Sequence, residues 1–204
     1  MEVTAALKSF IYITASSLLL PVLLLLSAMT IWLVVYSGSF FGMWLARRRL
    51  RRPVDAVASI RSGAFSEFPP HVRSFCLRVK EMNGTGYTRP AVLNLIREAE
   101  HRLWRPLDRL RILVRTGPGL GLIGTLIPMG TGLASLGQGD LTRLSGDLIV
   151  AFTTTVVGMA IGMASYFFLT IQRRWAEEDL KNMELAAELL SGGHADDEER
   201  ENAP

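Results

Sequence analysis

Two uncharged apolar segments lie close together in the second half of the sequence and restrict what it can fold into. The first runs from Gly117 to Leu136, and the second runs from Leu148 to Ile171. Each is long enough to cross a bilayer, because a hydrocarbon core of roughly 30 Å needs about 20 helical residues. Both are rich in glycine and threonine, which indicates membrane helices that press against other helices as well as lipid.

Small residues recur at helical spacing within both segments. In the second segment one face carries Ala151, Thr155, Gly158, Gly162 and Ser165. In the first segment a similar face carries Gly117, Gly121, Thr125, Pro128 and Gly132. The opposite face of the second segment is apolar and carries Ile149, Phe152, Val156, Met163 and Phe167. Because residues three and four apart share a helix face, Gly121, Gly132, Gly158 and Gly162 are expected to serve close helix packing or to face a pore.

A third apolar run extends from Phe10 to Ala46 without a charge. It predicts one more membrane helix, from about Leu18 to Leu45. The preceding residues, 2–17, either lie at the membrane interface or extend the helix, and Pro21 starts or kinks the membrane part. With 49% hydrophobic residues gathered into these runs, the sequence predicts an all-α integral membrane protein. We expect three transmembrane helices and helical cytoplasmic extensions.

Arginine clusters adjoin all three runs. They comprise Arg47, Arg48, Arg49, Arg51, Arg52, Arg102, Arg105, Arg109, Arg111, Arg115, Arg173 and Arg174. The predicted turn between the last two spans, Gly137 to Asp147, holds one arginine. Because positively charged flanks stay in the cytoplasm, the N-terminus is expected outside and the main loop and C-terminus inside. Each cluster abuts a span and lacks a separate folded module to present it, so we do not expect a nucleic-acid partner.

These features divide the sequence into four parts. Residues 1–46 contain an outer N-terminal segment and the first span, and residues 47–115 form a largely helical cytoplasmic loop. Residues 116–174 contain the second and third spans, and residues 175–204 contain a helical extension and a disordered acidic tail. Because about 70 residues cannot bury a large independent core, we expect the loop helices to extend from the spans and to pack on neighbouring subunits.

Local signals refine the soluble parts. Phe68-Pro-Pro70 ends a mixed stretch, and Asn83 to Gly86 is a turn signal. Pro90 to Arg115 has helical periodicity that continues toward the second span, with a break expected near Pro106. The third helix is expected to run through the apolar positions up to Leu190 and to stop at Gly192-Gly193.

The sequence contains little that could serve redox, metal or nucleotide chemistry. Cys76 is the one cysteine, and we interpret it as a structural thiol in a reducing compartment. His71 and His101 have no partners at ligand spacing and are interpreted as surface histidines. The GxGxxG pattern at Gly119 to Gly124 lies within an apolar span and lacks the preceding strand of a dinucleotide site. No cofactor, metal or enzymatic activity is therefore predicted.

The paired segments GLIGTLIPMGTGLASL and AFTTTVVGMAIGMASYFF resemble two helices of the MotA/TolQ/ExbB proton-channel family. The resemblance is strongest from Thr116 to about Arg174. By position, Thr125 and Thr155 match the two pore-facing threonines of the ExbB/TolQ branch, and Thr154 adds a neighbouring hydroxyl. The three predicted spans also resemble that branch, whereas the flagellar stator branch has four.

The resemblance implies a subunit of a motor in the inner membrane that is driven by the proton motive force. Several copies, a pentamer in characterised members, surround two helices of a small single-span partner of the ExbD/TolR/MotB type. That partner carries an aspartate in its span, and protons reach it past the pore threonines. Many relatives carry a glutamate about five residues before the pore threonine, where this sequence has Val150. Asp147, three residues earlier, is the candidate substitute.

Two alternatives stay open at the level of the sequence. Each threonine hydroxyl could bond the carbonyl one turn back, as threonines in membrane helices often do. The chain could also be a structural membrane scaffold that assembles through its small-residue faces without conducting protons. Because carboxylates are costly in hydrocarbon and the apolar runs contain none, a proton path would need a carboxylate from a partner.

Overall fold

The computed structural model describes residues 2–49, 55–83 and 89–191, and this part of the chain is helical apart from short connections. The elements are α1 Glu2–Arg49, α2 Ala56–Arg61, a 3₁₀ turn Phe65–Glu67, α3 Pro70–Asn83, α4 Arg89–Leu136 and α5 Leu141–Ser191. Three stretches are long and apolar enough to cross a membrane: Ser16–Arg49, Pro90–Leu136 and Leu141–Leu190. The predicted all-α fold with three membrane-length helices is therefore confirmed.

The first membrane helix is longer than its apolar core requires. α1 continues without interruption from Glu2 to Arg49, so residues 2–17 extend the helix. Pro21 lies inside α1, and its ring is exposed whereas the next residue, Val22, is buried. A proline removes one helical hydrogen bond, and here the packing of the neighbouring apolar residues is sufficient to keep the helix continuous.

Two boundary predictions were wrong. The expected break near Pro106 is absent, because α4 runs unbroken from Arg89 to Leu136. Pro106 is exposed and Leu107 beside it is buried, so apolar packing holds the helix through the proline. The turn after α4 is also shorter than predicted. Asp140 accepts a hydrogen bond from the backbone N–H of Arg143 at 2.9 Å, and this cap starts α5 at Leu141.

Several sequence predictions concern residues outside the described part of the chain. These are most of the turn at Asn83 to Gly86, the helix stop at Gly192-Gly193 and the acidic tail. The start of α4 at Arg89 and the extension of α5 to Ser191 are described, and both agree with the predicted helices.

The chain forms two compact units. The first comprises Met1–Ser39 and Arg109–Leu169, and it contains most of the apolar helical segments. Its apolar core consists of Val22 and Leu26 of α1 and Ile161 of α5, which are each at most 5% exposed, and Leu113 and Leu120 of α4 pack against them. Most of the large apolar side chains on the other faces of these helices are exposed, as expected for surfaces that lipid or another protein covers.

The second unit comprises Phe40–Asp108 and Thr170–Pro204. Its core gathers residues from α2, the 3₁₀ turn, α3, α4 and α5: Ile60, Phe65, Phe68, Val72, Phe75, Cys76, Val79, Val92, Met183, Ala186 and Ala187. The loop helices therefore bury their apolar faces against extensions of α4 and α5 from the same chain. Their packing on neighbouring subunits stays a prediction.

A buried carboxylate connects three elements of the second unit. Asp179 of α5 has a side chain only 3% exposed, and both of its oxygens accept hydrogen bonds from the guanidinium of Arg47. Nε2 of His71 lies 2.7 Å from Asp179 Oδ2. The guanidinium of Arg47 also lies 5.1 Å from the centre of the Trp175 ring. His71 is an exposed histidine, as predicted, with 44% of its side chain accessible, and its ring also contacts this carboxylate.

Candidate functional site

The small faces of α4 and α5 lie directly against each other in the first unit. Gly117 and Gly121 of α4 contact Gly158 of α5, and there is no room for a β-carbon on Gly158. Gly162 lies against Pro118 in the same way. Glycine permits this close approach because it has no side chain, and membrane helices associate through such contacts. The spacing in the sequence indicated two small faces, and the structure shows that they pack on each other.

Thr125 of α4 and Thr155 of α5 meet at the end of this glycine contact. Their hydroxyl oxygens are hydrogen-bonded to each other, and both side chains are half-buried. Thr125 Oγ1 also lies 2.9 Å from the carbonyl oxygen of Gly121, and Thr155 Oγ1 lies 3.2 Å from that of Ala151. The backbone-bonded arrangement and the paired arrangement therefore coexist at one place.

The two hydroxyls can donate fewer hydrogens than there are acceptor oxygens within reach. Each threonine hydroxyl has one hydrogen to donate and two lone pairs that accept. The acceptors in reach are two carbonyl oxygens, those of Gly121 and Ala151, and the oxygen of the other threonine. The pair can therefore exchange donor and acceptor roles and still offer lone pairs to a water or a hydrated proton.

Thr154 occupies a different environment from Thr155. Its side chain is buried, and its hydroxyl donates to the carbonyl oxygen of Ala151 at 2.9 Å. It packs against Gly124, where a β-carbon would lie 2.9 Å from Thr154 Cβ. The structure thus brings Thr125 and Thr155 together and directs Thr154 to another part of α4. A role for Thr154 in a proton path stays a prediction.

An acidic residue lies near the start of α5. Asp147 is half-buried, and Thr131 Oγ1 of α4 donates a hydrogen bond to its Oδ2 at 2.8 Å. Gly132 lies beside it, since a β-carbon there would be 3.3 Å from Asp147 Cβ. Asp147 and Thr155 are eight residues apart in one helix, which corresponds to about 12 Å along its axis. Val150 is exposed.

The polar groups between α4 and α5 do not form a continuous path along the helices. Beyond Thr155 the two helices touch through backbone atoms at Gly158, and Gly162 lies against the ring of Pro118. Ser165 lies one turn farther along and is fully buried. Among the described residues its hydroxyl has no hydrogen-bond partner. A water-filled passage cannot run between α4 and α5 of one chain past the two glycines.

Other reactive side chains are separate from these groups. Burial raises the pKa of the Cys76 thiol to about 11, so the thiol is protonated and unreactive near neutral pH. Within the described part of the chain, no three His, Cys, Asp or Glu side chains converge as a metal site requires.

Sequence reasoning missed the buried cluster around Asp179. One signal could have revealed it, because Asp179 lies four residues from both Trp175 and Met183 on the apolar side of the α5 extension. A carboxylate at such a position is buried when the helix packs, and a buried charge requires a partner. The sequence does not indicate which of the many arginines supplies that partner.

Comparisons with known proteins identify the family to which the chain is similar. The model of the MotA/TolQ/ExbB proton channel family matches residues 73–185, which is more than half of the chain and includes most of α3 as well as the paired spans. A protein of Methanothermobacter thermautotrophicus described as a biopolymer transport protein ExbB homolog is 30% identical over 95 residues. That match covers 45% of this chain but only 33% of the relative. No solved structure matches the chain.

The family match therefore covers most of α3, all of α4 and α5 up to residue 185. It includes the segments that carry Thr125, Thr155 and Asp147. The three membrane-length helices agree with a multi-pass membrane protein. We conclude that this chain is a membrane protein of the MotA/TolQ/ExbB proton channel family.

Proposed function

We propose that the chain is the ring-forming subunit of a motor driven by the proton motive force, and that Thr125 and Thr155 line its proton path. The contact between their two hydroxyls is the observation that carries this proposal. A hydroxyl pair with spare lone pairs can solvate a passing proton, and the low dielectric of a membrane strengthens such hydrogen bonds. The chain belongs to a proton channel family.

The closed glycine contact is the reason for proposing a ring. Because close contacts at Gly158 and Gly162 block a passage between α4 and α5, a proton must pass over the half-buried surface of the threonine pair. Lipid is an unfavourable cover for two hydroxyls. Several copies of this chain, a pentamer by analogy with the family, would provide the remaining wall.

The missing carboxylate is proposed to come from a partner. The apolar core of the paired helices offers hydroxyls and glycines but no acid beside the threonine pair. A small single-span protein of the ExbD/TolR/MotB type, with an aspartate in its span, would supply a group that binds and releases the proton. Each proton that crosses then delivers about 2.3 kcal/mol per 100 mV of membrane potential, which drives rotation or force on that partner.

The proposed setting is the inner membrane. The arginine clusters favour an outer N-terminus, with the second compact unit and the C-terminus in the cytoplasm. No cofactor takes part, and the proposed activity is ion translocation rather than an enzymatic reaction. A structural scaffold that assembles through Gly121, Gly132, Gly158 and Gly162 is the second candidate, since the tight contact at Gly158 would serve either function.

Replacing Thr155 with valine distinguishes the two candidates. Valine has the same shape without the hydroxyl, and Thr125 keeps the Gly121 carbonyl as a partner, so assembly is expected to persist. Loss of a hydrogen bond to a charged species is worth about 1.5–3 kcal/mol, and 1.36 kcal/mol is tenfold in rate. Proton flux should therefore fall about tenfold or more.

The measurement is proton uptake into proteoliposomes that contain the chain and its co-purified single-span companion, under an imposed potential. Thr155→Ser restores the hydroxyl and is expected to recover most of the flux. Thr153→Val is a second control, because Thr153 is exposed and its hydroxyl donates to the carbonyl oxygen of Ile149 at 2.8 Å, away from the threonine pair. Unchanged flux in Thr155→Val, with assembly intact by native mass spectrometry, would favour the scaffold.

Asp147 is proposed to replace the glutamate that many relatives carry near the threonine pair. Asp147→Asn keeps a hydrogen-bond acceptor for Thr131 but removes the charge, so proton flux is expected to fall severalfold while the fold persists. Asp140→Asn is the matched control, because asparagine caps a helix about as well as aspartate. Equal flux in the two variants would show that Asp147 has no part in the path.

A further inference from the structure

A groove in the second compact unit has an apolar lining that the proposed motor function does not use. It lies between α3 and α4, with a volume of about 560 Å³. Its apolar side chains come from three helices: Phe75, Leu95, Ala99, Leu103 and Met183. Phe75 and Met183 are buried, and the other three are half-buried. Sites for small molecules are concave, mostly apolar and about 300–1,000 Å³ in volume, so the groove has the size and lining of a ligand site.

Two guanidinium groups stand at the edge of this groove. Arg78 of α3 is exposed and, among the described residues, makes no hydrogen bond or ion pair. Arg102 of α4 pairs with Glu98 on the same helix, and both side chains are at least half exposed. Such surface pairs contribute about 0–1 kcal/mol, so Arg102 can turn to another anion at little cost.

The charges of the lining favour an occupant with a single negative charge. Arg78 and Arg102 supply two positive charges and Glu98 one negative charge. His71 also lines the groove, but its Nε2 is engaged by Asp179. One net positive charge therefore remains. Arginine recognises carboxylates through two parallel hydrogen bonds, which suits a carboxylate better than a doubly charged phosphate.

The length of the groove limits the apolar part of the occupant. On α3 its lining extends from His71 to Arg78, and on α4 from Leu95 to Leu103. At 1.5 Å per helical residue these stretches are about 10 Å and 12 Å long. Such a groove is short for a stable protein interface and long enough for one extended acyl chain of medium length.

We infer that this groove binds a single-chain amphiphile with a carboxylate head, such as a medium-chain fatty acid. The carboxylate binds Arg78 and Arg102, and the chain lies along Phe75, Leu95 and Met183. Because Met183 belongs to α5 and Phe75 and Leu95 to α3 and α4, one ligand would contact three helices of the unit. The site is separate from the proposed proton path, so either proposal can fail without the other.

The test uses the full chain with its companion in lipid nanodiscs and decanoic acid that carries a photoreactive diazirine at its chain end. After irradiation, mass spectrometry of peptides is expected to locate the label on the groove-lining parts of α3 and α4. Excess decanoate should displace it, and decanol should not. Arg78→Gln is expected to lower the yield about tenfold, as for loss of one charge-assisted hydrogen bond. Glu98→Gln should raise it severalfold by releasing Arg102.

Matched variants make the outcome decisive. Arg97→Gln removes an exposed arginine of α4 that does not line the groove, and it should leave the yield unchanged. Arg78→Lys keeps the charge but loses the paired hydrogen bonds, so it should give an intermediate yield. Labelling confined to the membrane helices, equal competition by decanol, or equal yields in Arg78→Gln and Arg97→Gln would each overturn the inference. Crosslinks that show a second copy of the chain across the groove would overturn it as well.

Discussion

Replacing Asp179 with alanine is expected to destabilise the second compact unit by about 3–5 kcal/mol, as when one partner of a buried ion pair is removed. The carboxylate is 3% exposed and binds the Arg47 guanidinium through both oxygens. Arg47 is itself 20% exposed, so its charge would remain in a poorly solvated place without the carboxylate that it now binds. The ring nitrogen of His71 would lose its acceptor at the same time.

The measurement is the thermal midpoint of unfolding of the purified complex, together with protease sensitivity of the helices around Asp179. Glu177→Ala is the matched control, because Glu177 lies two residues away on α5 and forms an exposed pair with Arg173 at 2.9 Å. That pair should contribute at most about 1 kcal/mol. If both variants unfold at the same temperature, the buried pair does not stabilise the fold in the way described.

Replacing Gly158 with alanine is expected to separate α4 from α5. A β-carbon on Gly158 would lie 2.6 Å from the Gly117 carbonyl oxygen and 2.7 Å from Gly121 Cα. Both are backbone atoms, so no side-chain rotation can relieve the overlap, and the helices themselves must shift. Overpacking costs typically about 1–3 kcal/mol and occasionally more. The same shift would pull Thr125 away from Thr155, so proton flux should be lost together with stability.

Gly119→Ala is the control for this substitution. Gly119 lies on α4 between Gly117 and Gly121, but its missing β-carbon would meet nothing within 4 Å. Because alanine is favoured over glycine inside a helix by about 0.5–1 kcal/mol, Gly119→Ala should leave the complex as stable as before or slightly more so. Both stabilities can be compared by unfolding in detergent. If the Gly158→Ala and Gly119→Ala proteins are equally stable, the close packing at Gly158 is contradicted.

Gly158→Ala and Asp179→Ala also test separately whether proton flux requires the contact between α4 and α5 and whether it requires the second compact unit. Gly158→Ala acts on the helix pair that holds the threonines, whereas Asp179→Ala acts on a unit that contains neither of them. Proton flux that survives in Asp179→Ala at low temperature, but not in Gly158→Ala, would indicate that the proposed path needs the glycine contact itself. Loss of flux in both would indicate that the path also requires an intact second unit.

The class of fold and the small faces of the membrane helices follow from the order of the amino acids. In a membrane, a long uncharged run must hydrogen-bond its own backbone N–H and C=O groups, and a helix does this within one segment. Helical periodicity then shows which residues share a face. The spacing alone therefore placed the glycines of α4 and of α5 on small faces suited to close helix packing. The resemblance of the same stretches to known proton-channel helices was enough to name the family.

The pairs of side chains that contact each other, and the continuity of α4, follow only from the packing of the helices. Thr154 and Thr155 are neighbours in sequence, yet only Thr155 meets Thr125, because adjacent residues of a helix point about 100° apart. The partner of Asp179 is Arg47, 132 residues away, and no local pattern selects one arginine among many. Pro106 was expected to break α4, but the burial of Leu107 beside it outweighs the lost hydrogen bond. In each case the outcome depends on which helices pack together, and that is a property of the whole fold.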